Sequence, residues 1–398
     1  MYVAGRGTST HGTVLPTLVQ AQARGLIGEI TVAATARSSI QALGVKLNEL
    51  NARMSTEVRI QGYPSGAEAD PLAYRQALAD LPRPACAIVV VPDHLHFEIA
   101  ADVIRAGVHC LVVKPLTPTL SEAQELVQLA ESHNIYGAVE FHKRFDESNL
   151  LVRQALADGR LGDICYVTVE YSQRRMVRDI FGSWLQDTNI FQYLGVHYVD
   201  LIYYFTGARP VRALATGQPY DPASKARHGS DAIQAMVEWE VPESKRRFVS
   251  TIATNWIDPN TTSAMSDQKF NIVGTKGRYQ VDQKNRGAQL VTEAGGIEDV
   301  NPYFTQIYRG DDGNYGVHGY GPRCINLFLT DVVDLATGRC TRQDLIAARP
   351  SFQDCLASTA VVEAVNTSLY GGGEWVSIED VASAAPKELM EVRGNRPQ

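Results

Sequence analysis

The sequence predicts an α/β protein in which a doubly wound parallel sheet is followed by an α+β domain with a mostly antiparallel sheet. Two observations support this class. In residues 1–142, short apolar runs alternate with helical patterns, as expected when a crossover helix follows each strand of a parallel sheet. From residue 143, longer stretches alternate apolar and polar residues, as antiparallel strands with one covered face do. We therefore expect one domain over 1–142 and a second over 143–398.

The first domain is predicted to hold five strands and four helices. Uninterrupted apolar runs such as "CAIVVVP" are typical of strands that are buried on both faces. The predicted strands are 2–5, 29–36, 86–92, 109–115 and 135–142, and the helices are 12–25, 40–53, 96–107 and 121–134. In such sheets ligands bind at the carboxyl ends of the strands, so the residues that follow each strand are the candidates for a site.

The second domain is predicted to begin with a helix and to continue as a sheet. The predicted strands lie within 164–173, 231–241, 246–256, 269–282 and 288–293, and the helices are 149–159, 321–337 and 351–370. The sequence contains no internal repeat, and no low-complexity linker lies between the two predicted domains. Residues 140–146 therefore read as a short hinge.

Composition excludes several classes of protein. The chain has 398 residues, a net charge of −7 and no long basic run, which argues against a nucleic-acid partner. It has no apolar stretch long enough to span a membrane. Its first residues show no basic segment followed by an apolar one, so a secretion signal is not expected. The six cysteines show no C-x-x-C spacing, so neither a metal site nor a redox motif is expected. A cytoplasmic location is expected.

The stretch "VAGRGTSTHG" is a candidate phosphate-binding loop. Gly5 and Gly7 match the first two positions of G-x-G-x-x-G, Thr8 and Ser9 follow, and Thr10 stands at the third position. Such a loop lets a pyrophosphate approach the backbone at a helix N-terminus. The alternative is a glycine-rich loop without a ligand.

The second predicted strand bears on the choice of dinucleotide. It ends in "TARSS" (35–39), where an acidic residue would bind a ribose 2′-hydroxyl. Arg37 and Ser38 instead suit a 2′-phosphate, so NADP is favoured over NAD. Arg37 could equally be a solvated surface arginine.

Lys114 follows a buried strand and precedes Pro115, which biases the lysine towards an extended conformation. Its ammonium would then point into the crevice above the sheet, where it can hold a substrate hydroxyl. The alternative is a lysine that ends a strand at the surface.

His197 lies in the otherwise apolar helical stretch "NIFQYLGVHYVDLIYYFTG" (189–207). At 100° per residue, Tyr193, His197, Asp200 and Tyr204 share one narrow stripe. The stripe can face a substrate, with Asp200 orienting the histidine, or it can be a satisfied polar seam in which Asp200 is structural.

Two basic clusters are further candidates. "EFHKRF" (140–145) carries His142, Lys143 and Arg144 at a strand end, where they can reach a substrate or form hinge contacts. "SQRRMVRD" (172–179) is expected to be a loop that meets an anionic substrate or a solvated surface.

Several motifs in the same order resemble the glucose–fructose oxidoreductase, inositol 2-dehydrogenase and rhizopine catabolism family, Gfo/Idh/MocA. "PDHLH" resembles its P-N-x-x-H element, "VVKP" its E-K-P element, and "GVHYVDLIYYFTG" its G-x-H-x-x-D helix. "FNIVGTKGRYQVD" is similar to its G-T-x-G strand, and "STAVVEAVNTSLYGGGEWVSI" to its final helix and tail. The resemblance covers nearly the whole chain.

The resemblance implies a Rossmann domain, a C-terminal domain with a large open sheet, and NAD(P) between them. It implies an NAD(P)-dependent oxidoreductase for sugars or cyclitols that assembles as a homodimer or homotetramer. Lys114 is then the catalytic lysine and His197 the histidine of the substrate helix, while Pro92 and His96 line the cofactor crevice. With Tyr193, His142 and Arg144 as substrate contacts, His197 would accept the hydroxyl proton and Lys114 would bind the same oxygen.

Two positions depart from the family pattern. Val113 stands where the family usually has glutamate, and Tyr193 stands where many dehydrogenases have aspartate. The expected carboxylate beside the lysine and histidine is therefore missing from its usual place. This leaves open a hydrolase or lyase that recycles its cofactor, and a non-catalytic NAD(P)-binding regulator.

Overall fold

The computed structural model describes residues 11–66, 68–220, 225–226, 229–311 and 313–383. Its first half alternates helices and strands as the sequence predicts. The elements are α1 (Val14–Ala23), β1 (Ile30–Ala33), α2 (Arg37–Met54), β2 (Ile60–Tyr63), α3 (Ala73–Asp80), β3 (Cys86–Val89), α4 (His96–Arg105), β4 (His109–Val113), α5 (Leu120–Ser132) and β5 (Gly137–Glu140). The predicted first strand, 2–5, lies outside the described residues.

The strand pairs that the structure describes in this half are all parallel. β1 pairs with β2, and β3, β4 and β5 form a second group in that order. The carboxyl ends of β3, β4 and β5 consequently lie at one edge of their sheet, which is where a doubly wound fold binds ligands.

The second half contains a large mixed sheet flanked by helices. Its elements are α6 (Glu147–Ala157), β6 (Ile164–Arg174), α7 (Arg175–Ile180), α8 (Val196–Thr206), β7 (Arg209–Gln218), β8 (Ala232–Glu240), β9 (Arg247–Asp258), β10 (Ser266–Gly274), β11 (Arg278–Asp282), β12 (Ala288–Thr292), β13 (Gly296–Val300), β14 (Gln306–Arg309), β15 (Tyr315–His318), α9 (Tyr320–Ala336), α10 (Arg342–Ala348), α11 (Leu356–Tyr370), β16 (Val376–Ser377) and α12 (Ile378–Ser383).

Seven strands build this sheet in the order β11-β10-β6-β9-β8-β7-β16. β6 and β9 run parallel, and the other pairs are antiparallel. Burial alternates along β8 and β9, which shows one covered face and one open face. The predicted fold class is therefore confirmed; assembly through the open face stays a prediction.

Helix α8 is buried on nearly every side, as its apolar composition predicts. It packs against α6 and α11. A π-helical turn, Phe191–Gly195, precedes it. Because π turns are frequent at functional sites, this turn indicates that the start of α8 belongs to such a site.

Segments of the second half also complete the first. The β14–β15 hairpin packs its Ile307 and Val317 side chains among residues of α1 and α2. Gln20 bridges both backbone groups of Val317, and Arg53 donates to the carbonyl of Ile307 at 2.8 Å. Helix α9 packs against β4 and β5 through Ile325, Phe328 and Leu329, among others. A boundary at residue 142 stays a prediction, because both halves contribute to one packed unit.

Two sequence-based expectations are wrong in detail. The helix expected over 351–370 begins at Leu356, because the preceding residues pair with β5 instead. Val139 N–H donates to the carbonyl of Pro350 at 2.8 Å, and Phe352 N–H donates to that of Gly137 at 3.1 Å. The loop expected over 172–179 is the end of β6 followed by the short helix α7.

No helix in the described part of the chain is both long and apolar enough to cross a bilayer. Among the same residues, no cluster of three or more potential metal ligands is present.

Gly137 provides a test of how the edge of β5 is packed. A Cβ at this position would overlap the ring of Phe352, so Gly137→Ala should lower the free energy of unfolding by about 1–3 kcal/mol through overpacking. Gly44→Ala is the matched control, because a Cβ there meets no atom within 4 Å and alanine favours a helix interior by roughly 0.5–1 kcal/mol. Denaturant unfolding followed by circular dichroism measures both; equal stability of the two variants would contradict the packing.

Candidate active site

Three neighbouring strand ends deliver polar side chains to one place. Val89 of β3 pairs with Val112 of β4, and Val113 of β4 pairs with Glu140 of β5. The residues that follow these pairs are Asp93, Lys114 and His142, and all three are buried. The sheet thus brings together groups that are distant in sequence.

Lys114 is 8% exposed, and its Nζ donates a hydrogen bond to the carbonyl oxygen of Tyr193. The same nitrogen lies 3.7 Å from the centroid of the Tyr193 ring. Burial lowers the pKa of Lys114 to about 7, while the negative charges of Glu140 and Asp93 act in the opposite direction. A lysine with a pKa near neutrality can exchange a proton under ordinary conditions.

His197 is 2% exposed, and its Nδ1 has no hydrogen-bond partner among the described residues. Burial lowers its pKa well below the usual value, and the positive charges of Lys114, His142 and Lys143 lower it further. The imidazole is therefore neutral at neutral pH and able to accept a proton. Most buried polar atoms in proteins are hydrogen-bonded, so the unpartnered nitrogen favours a functional role for His197.

His142 packs edge-on against His197, with ring centroids 4.8 Å apart. Its Nδ1 lies 2.8 and 2.9 Å from the two carboxylate oxygens of Glu140. The ring of Tyr320, from the start of α9, stacks on the other side of His142 at 5.7 Å, and Phe304 lies at 5.3 Å. His142 is thus held firmly beside the ring of His197.

The polar stripe predicted on α8 divides into two parts. Asp200 forms a two-pronged ion pair with Arg144, at 2.8 and 2.5 Å, and Arg144 also pairs with Asp354 at 2.7 Å. Tyr204 Oη accepts a hydrogen bond from Arg153 at 2.9 Å. These residues form a satisfied seam, so Asp200 has the structural role that the sequence left open.

The sequence suggested that Arg144 contacts the substrate, but the structure places this side chain in the seam of α8. Its guanidinium is committed to two carboxylates, and the side chain is buried. Tyr193 precedes His197 through the π turn, so the even 100° spacing assumed for the stripe does not hold between them. The Tyr193 ring contacts Lys114 rather than the seam.

Asp93 links the first half of the chain to the second. Its carboxylate accepts hydrogen bonds from Trp184 Nε1 at 2.7 Å, Thr188 Oγ1 at 2.8 Å and Gln192 Nε2 at 2.7 Å. Gln192 in turn accepts from Asn366 of α11 at 2.8 Å. Because Gln192 belongs to the π turn, this network fixes the turn that presents Tyr193 to Lys114.

The residues expected to contact the cofactor fall into three groups. Arg37 and Ser38 are exposed at the N-terminus of α2, where an anion is favourable. Pro92 is half-buried and precedes the turn of Asp93. Gly5, Gly7, Thr8, Ser9 and Thr10 lie outside the described residues.

His96, expected to line the crevice, is instead buried between two backbone carbonyls. Its Nδ1 lies 2.8 Å from the oxygen of Pro115, and its Nε2 lies 3.0 Å from the oxygen of Val91. Burial lowers its pKa. The ring therefore ties the end of β3 to the Lys114–Pro115 turn, which supports Lys114 from behind.

Lys143 and the arginines near 172–179 are also occupied. Lys143 Nζ donates to Gln268 and, at 3.0 Å, to Gln283, and burial lowers its pKa to about 7. Arg174 contacts Thr262, and Arg178 lies 3.4 Å from Asp231. An anion site on these arginines would have to displace existing contacts.

Sequence reasoning missed Glu140 and Asp93. Both directly follow or end a buried strand, which is the position that a doubly wound sheet reserves for functional groups. That signal was present in "GAVEFH" and "PDHLH", but nothing in the sequence shows which side chains meet across neighbouring strands.

Comparison with known proteins gives the family. Residues 28–141 match the model of the oxidoreductase family with an NAD-binding Rossmann fold, and residues 150–280 match the GFO/IDH/MocA C-terminal domain. An uncharacterized oxidoreductase of Schizosaccharomyces pombe is 26% identical over 230 residues, which are 55% of this chain and 60% of the relative.

Two further proteins are similar. The scyllo-inositol 2-dehydrogenase (NADP(+)) IolW of Bacillus subtilis is 29% identical over 117 residues, 28% of this chain and 32% of the relative. The chain thus spans less than two thirds of these curated relatives. A solved structure, scyllo-inositol dehydrogenase of Lactobacillus casei with bound NAD(H) and scyllo-inositol, matches with a TM-score of 0.64 and 15% identity. The match covers 94% of this chain and 97% of that one, and it shows a shared fold.

The Asp200–Arg144 ion pair can be tested separately from catalysis. Asp200→Asn should lower the free energy of unfolding by about 3 kcal/mol, because it leaves a buried guanidinium partly uncompensated. Turnover per folded molecule should be retained, because Asp200 does not contact His197. Asp179→Asn, at an exposed aspartate, is the control. Denaturant unfolding and steady-state kinetics measure both quantities; a stable Asp200→Asn variant with impaired turnover would assign Asp200 to the site.

Proposed function

Because the chain belongs to the GFO/IDH/MocA family, we propose that it is an NAD(P)-dependent oxidoreductase that acts on a hydroxyl or keto carbon of a sugar or cyclitol. His197 accepts or returns the hydroxyl proton, and Lys114 binds the same oxygen. The observation that carries the proposal is the unpartnered Nδ1 of a buried, neutral His197 beside a buried lysine at the strand ends.

The residues present fit a nicotinamide dinucleotide. Arg37 and Ser38 stand at the N-terminus of α2 after β1, the position that meets the adenosine ribose in doubly wound folds. Lys114 directly follows the central strand β4, and His197 lies near it on helix α8. When bound, the nicotinamide supplies the hydride acceptor or donor.

The protein residues supply the proton chemistry. As the substrate C–H bond breaks, negative charge develops on the hydroxyl oxygen, and the Lys114 cation stabilises that charge. His197 takes the proton because its own pKa keeps it neutral beforehand. The low exposure of both side chains excludes water and strengthens these interactions.

The proposed substrate class is supported by a relative, and the proposed cofactor is supported by a residue of this chain. IolW is named for scyllo-inositol and NADP, which supports a polyhydroxylated ring substrate for this chain. The exposed Arg37 supports NADP, because a guanidinium pairs with a phosphate through charge-assisted hydrogen bonds.

Replacing the proposed base tests the reaction. In His197→Ala, kcat should fall by about 100- to 10,000-fold, the range for loss of general base catalysis. Absorbance of the reduced cofactor measures turnover over a panel of sugars, cyclitols and sugar acids. His133→Ala, at an exposed histidine, is the control and should retain full activity.

The outcomes of that experiment separate the alternatives. Unchanged turnover in a folded His197→Ala variant would remove the proposed base. Product formation by the native protein without net reduced cofactor would favour the recycling hydrolase or lyase. A lack of turnover on the whole panel, with cofactor bound, would favour a regulator.

Arg37 tests the cofactor preference. Arg37→Ala should raise the Kd for NADP at least about tenfold, because a charge-assisted hydrogen bond contributes roughly 1.5–3 kcal/mol, and should leave the Kd for NAD unchanged. Arg59→Ala, an exposed arginine just before β2, is the control at the opposite end of the sheet. Fluorescence titration gives both dissociation constants. Tighter binding of NAD than of NADP by the native protein would contradict the proposed preference for NADP.

A further inference from the structure

We propose that Glu140 is a positioning residue of this site: its carboxylate holds the His142 ring against His197 and sustains the positive charge of Lys114. The inference rests on the proposed function, since it assigns Glu140 to the same proton-transfer groups. It concerns a residue on β5, one strand away from the lysine that it serves.

The sheet register places the carboxylate. Val113, the residue before Lys114, pairs with Glu140 across the β4–β5 ladder. Directly paired residues of parallel strands project to the same face of a sheet. Glu140 therefore lies beside Val113, the uncharged residue that precedes Lys114, and places a carboxylate next to it.

The first task of Glu140 is to orient His142. Its two oxygens lie 2.8 and 2.9 Å from Nδ1, so Nδ1 carries a proton and donates it to the carboxylate. Tyr320 and Phe304 hold the ring in place, and the His197 ring lies 4.8 Å away. A carboxylate in this arrangement fixes both tautomer and ring orientation.

The second task is charge compensation. Among the described residues, Lys114 has no carboxylate within 4 Å, and the negative charge that supports it comes from Glu140 and Asp93 at longer range. Asp93 already accepts three hydrogen bonds. Among the described residues, the Glu140 side chain hydrogen-bonds to His142, and its charge raises the pKa of Lys114 more than the charge of Asp93 does.

The charges around Glu140 come from several elements. Lys114 follows β4, Lys143 and His142 follow β5, and Tyr320 and Cys324 lie on α9; the Glu140 charge acts on the pKa of Lys114, Lys143, Tyr320 and Cys324. Of these, Lys114 and Lys143 have pKa values of about 7. Removing the carboxylate should therefore lower the pKa of Lys114, and the activity that needs its cation should be lost at a lower pH.

Glu140→Gln tests both tasks, because the amide keeps the shape and loses the charge. NMR of protein labelled with ¹³C and ¹⁵N in lysine should show the Lys114 pKa lowered by about 1 unit, as expected on losing a nearby opposite charge. The kcat should fall by about 10- to 100-fold, and the alkaline limb of the pH–rate profile should move to lower pH. Glu131→Gln, an exposed glutamate on α5, is the control for loss of one negative charge.

A rescue variant separates the two tasks. In Val113→Glu combined with Glu140→Gln, a carboxylate returns across the ladder, so the Lys114 pKa should recover while kcat recovers only in part. Should Glu140→Gln fail to fold, Glu140→Asp replaces it. The shorter side chain of aspartate keeps the negative charge but no longer reaches His142. The pKa of Lys114 should therefore be unchanged, and kcat should fall.

An unchanged Lys114 titration together with an unchanged pH–rate profile in Glu140→Gln would overturn the inference, as would full activity in Glu140→Asp when only that variant folds. The lysine titration needs no substrate. Failure of the proposed function, seen as no turnover by the native protein, is therefore distinguishable from failure of this inference.

Discussion

The site depends on the balance of charge around a lysine that is buried at the end of a parallel strand. An ammonium loses hydration free energy when it is buried, and the surrounding carboxylates and dipoles replace only part of it. Lys114 meets this constraint with the Tyr193 carbonyl and ring on one side and the charges of Glu140 and Asp93 further away. The resulting pKa of about 7 makes the lysine responsive to its surroundings.

The same constraint explains why the two halves of the chain are closely joined. The groups that stabilise Lys114 come from β3, β5 and the π turn before α8, so they act together only while the halves are packed. Asp93 fixes the π turn, and the Arg144–Asp200 ion pair fixes α8 against the segment after β5. The hydrogen bonds of Asp93 and the ion pair of Asp200 thus hold the elements around His197, while its own Nδ1 has no partner within the described part of the chain.

Local patterns predicted most of the architecture because burial imposes its periodicity on the sequence. The parallel strands, the buried helix of His197 and the alternating strands of the large sheet lie where the patterns indicate. The start of α11 was wrong because residues 350–352 pair with β5, and a helical pattern carries no information about such a partner. The ion pairs of Arg144 could not be predicted for the same reason, since its two carboxylate partners lie far along the chain.

The sequence by itself determined the fold class, the family resemblance, and the choice of Lys114 and His197 as the residues to examine. It determined these because strand-end position and helical spacing are local properties. Only the tertiary structure decided that Val113 pairs with a carboxylate, Glu140, on the neighbouring strand, and that Asp200 belongs to an ion pair. Register between strands and packing between helices make those assignments, and both are set by contacts between residues that are remote in sequence.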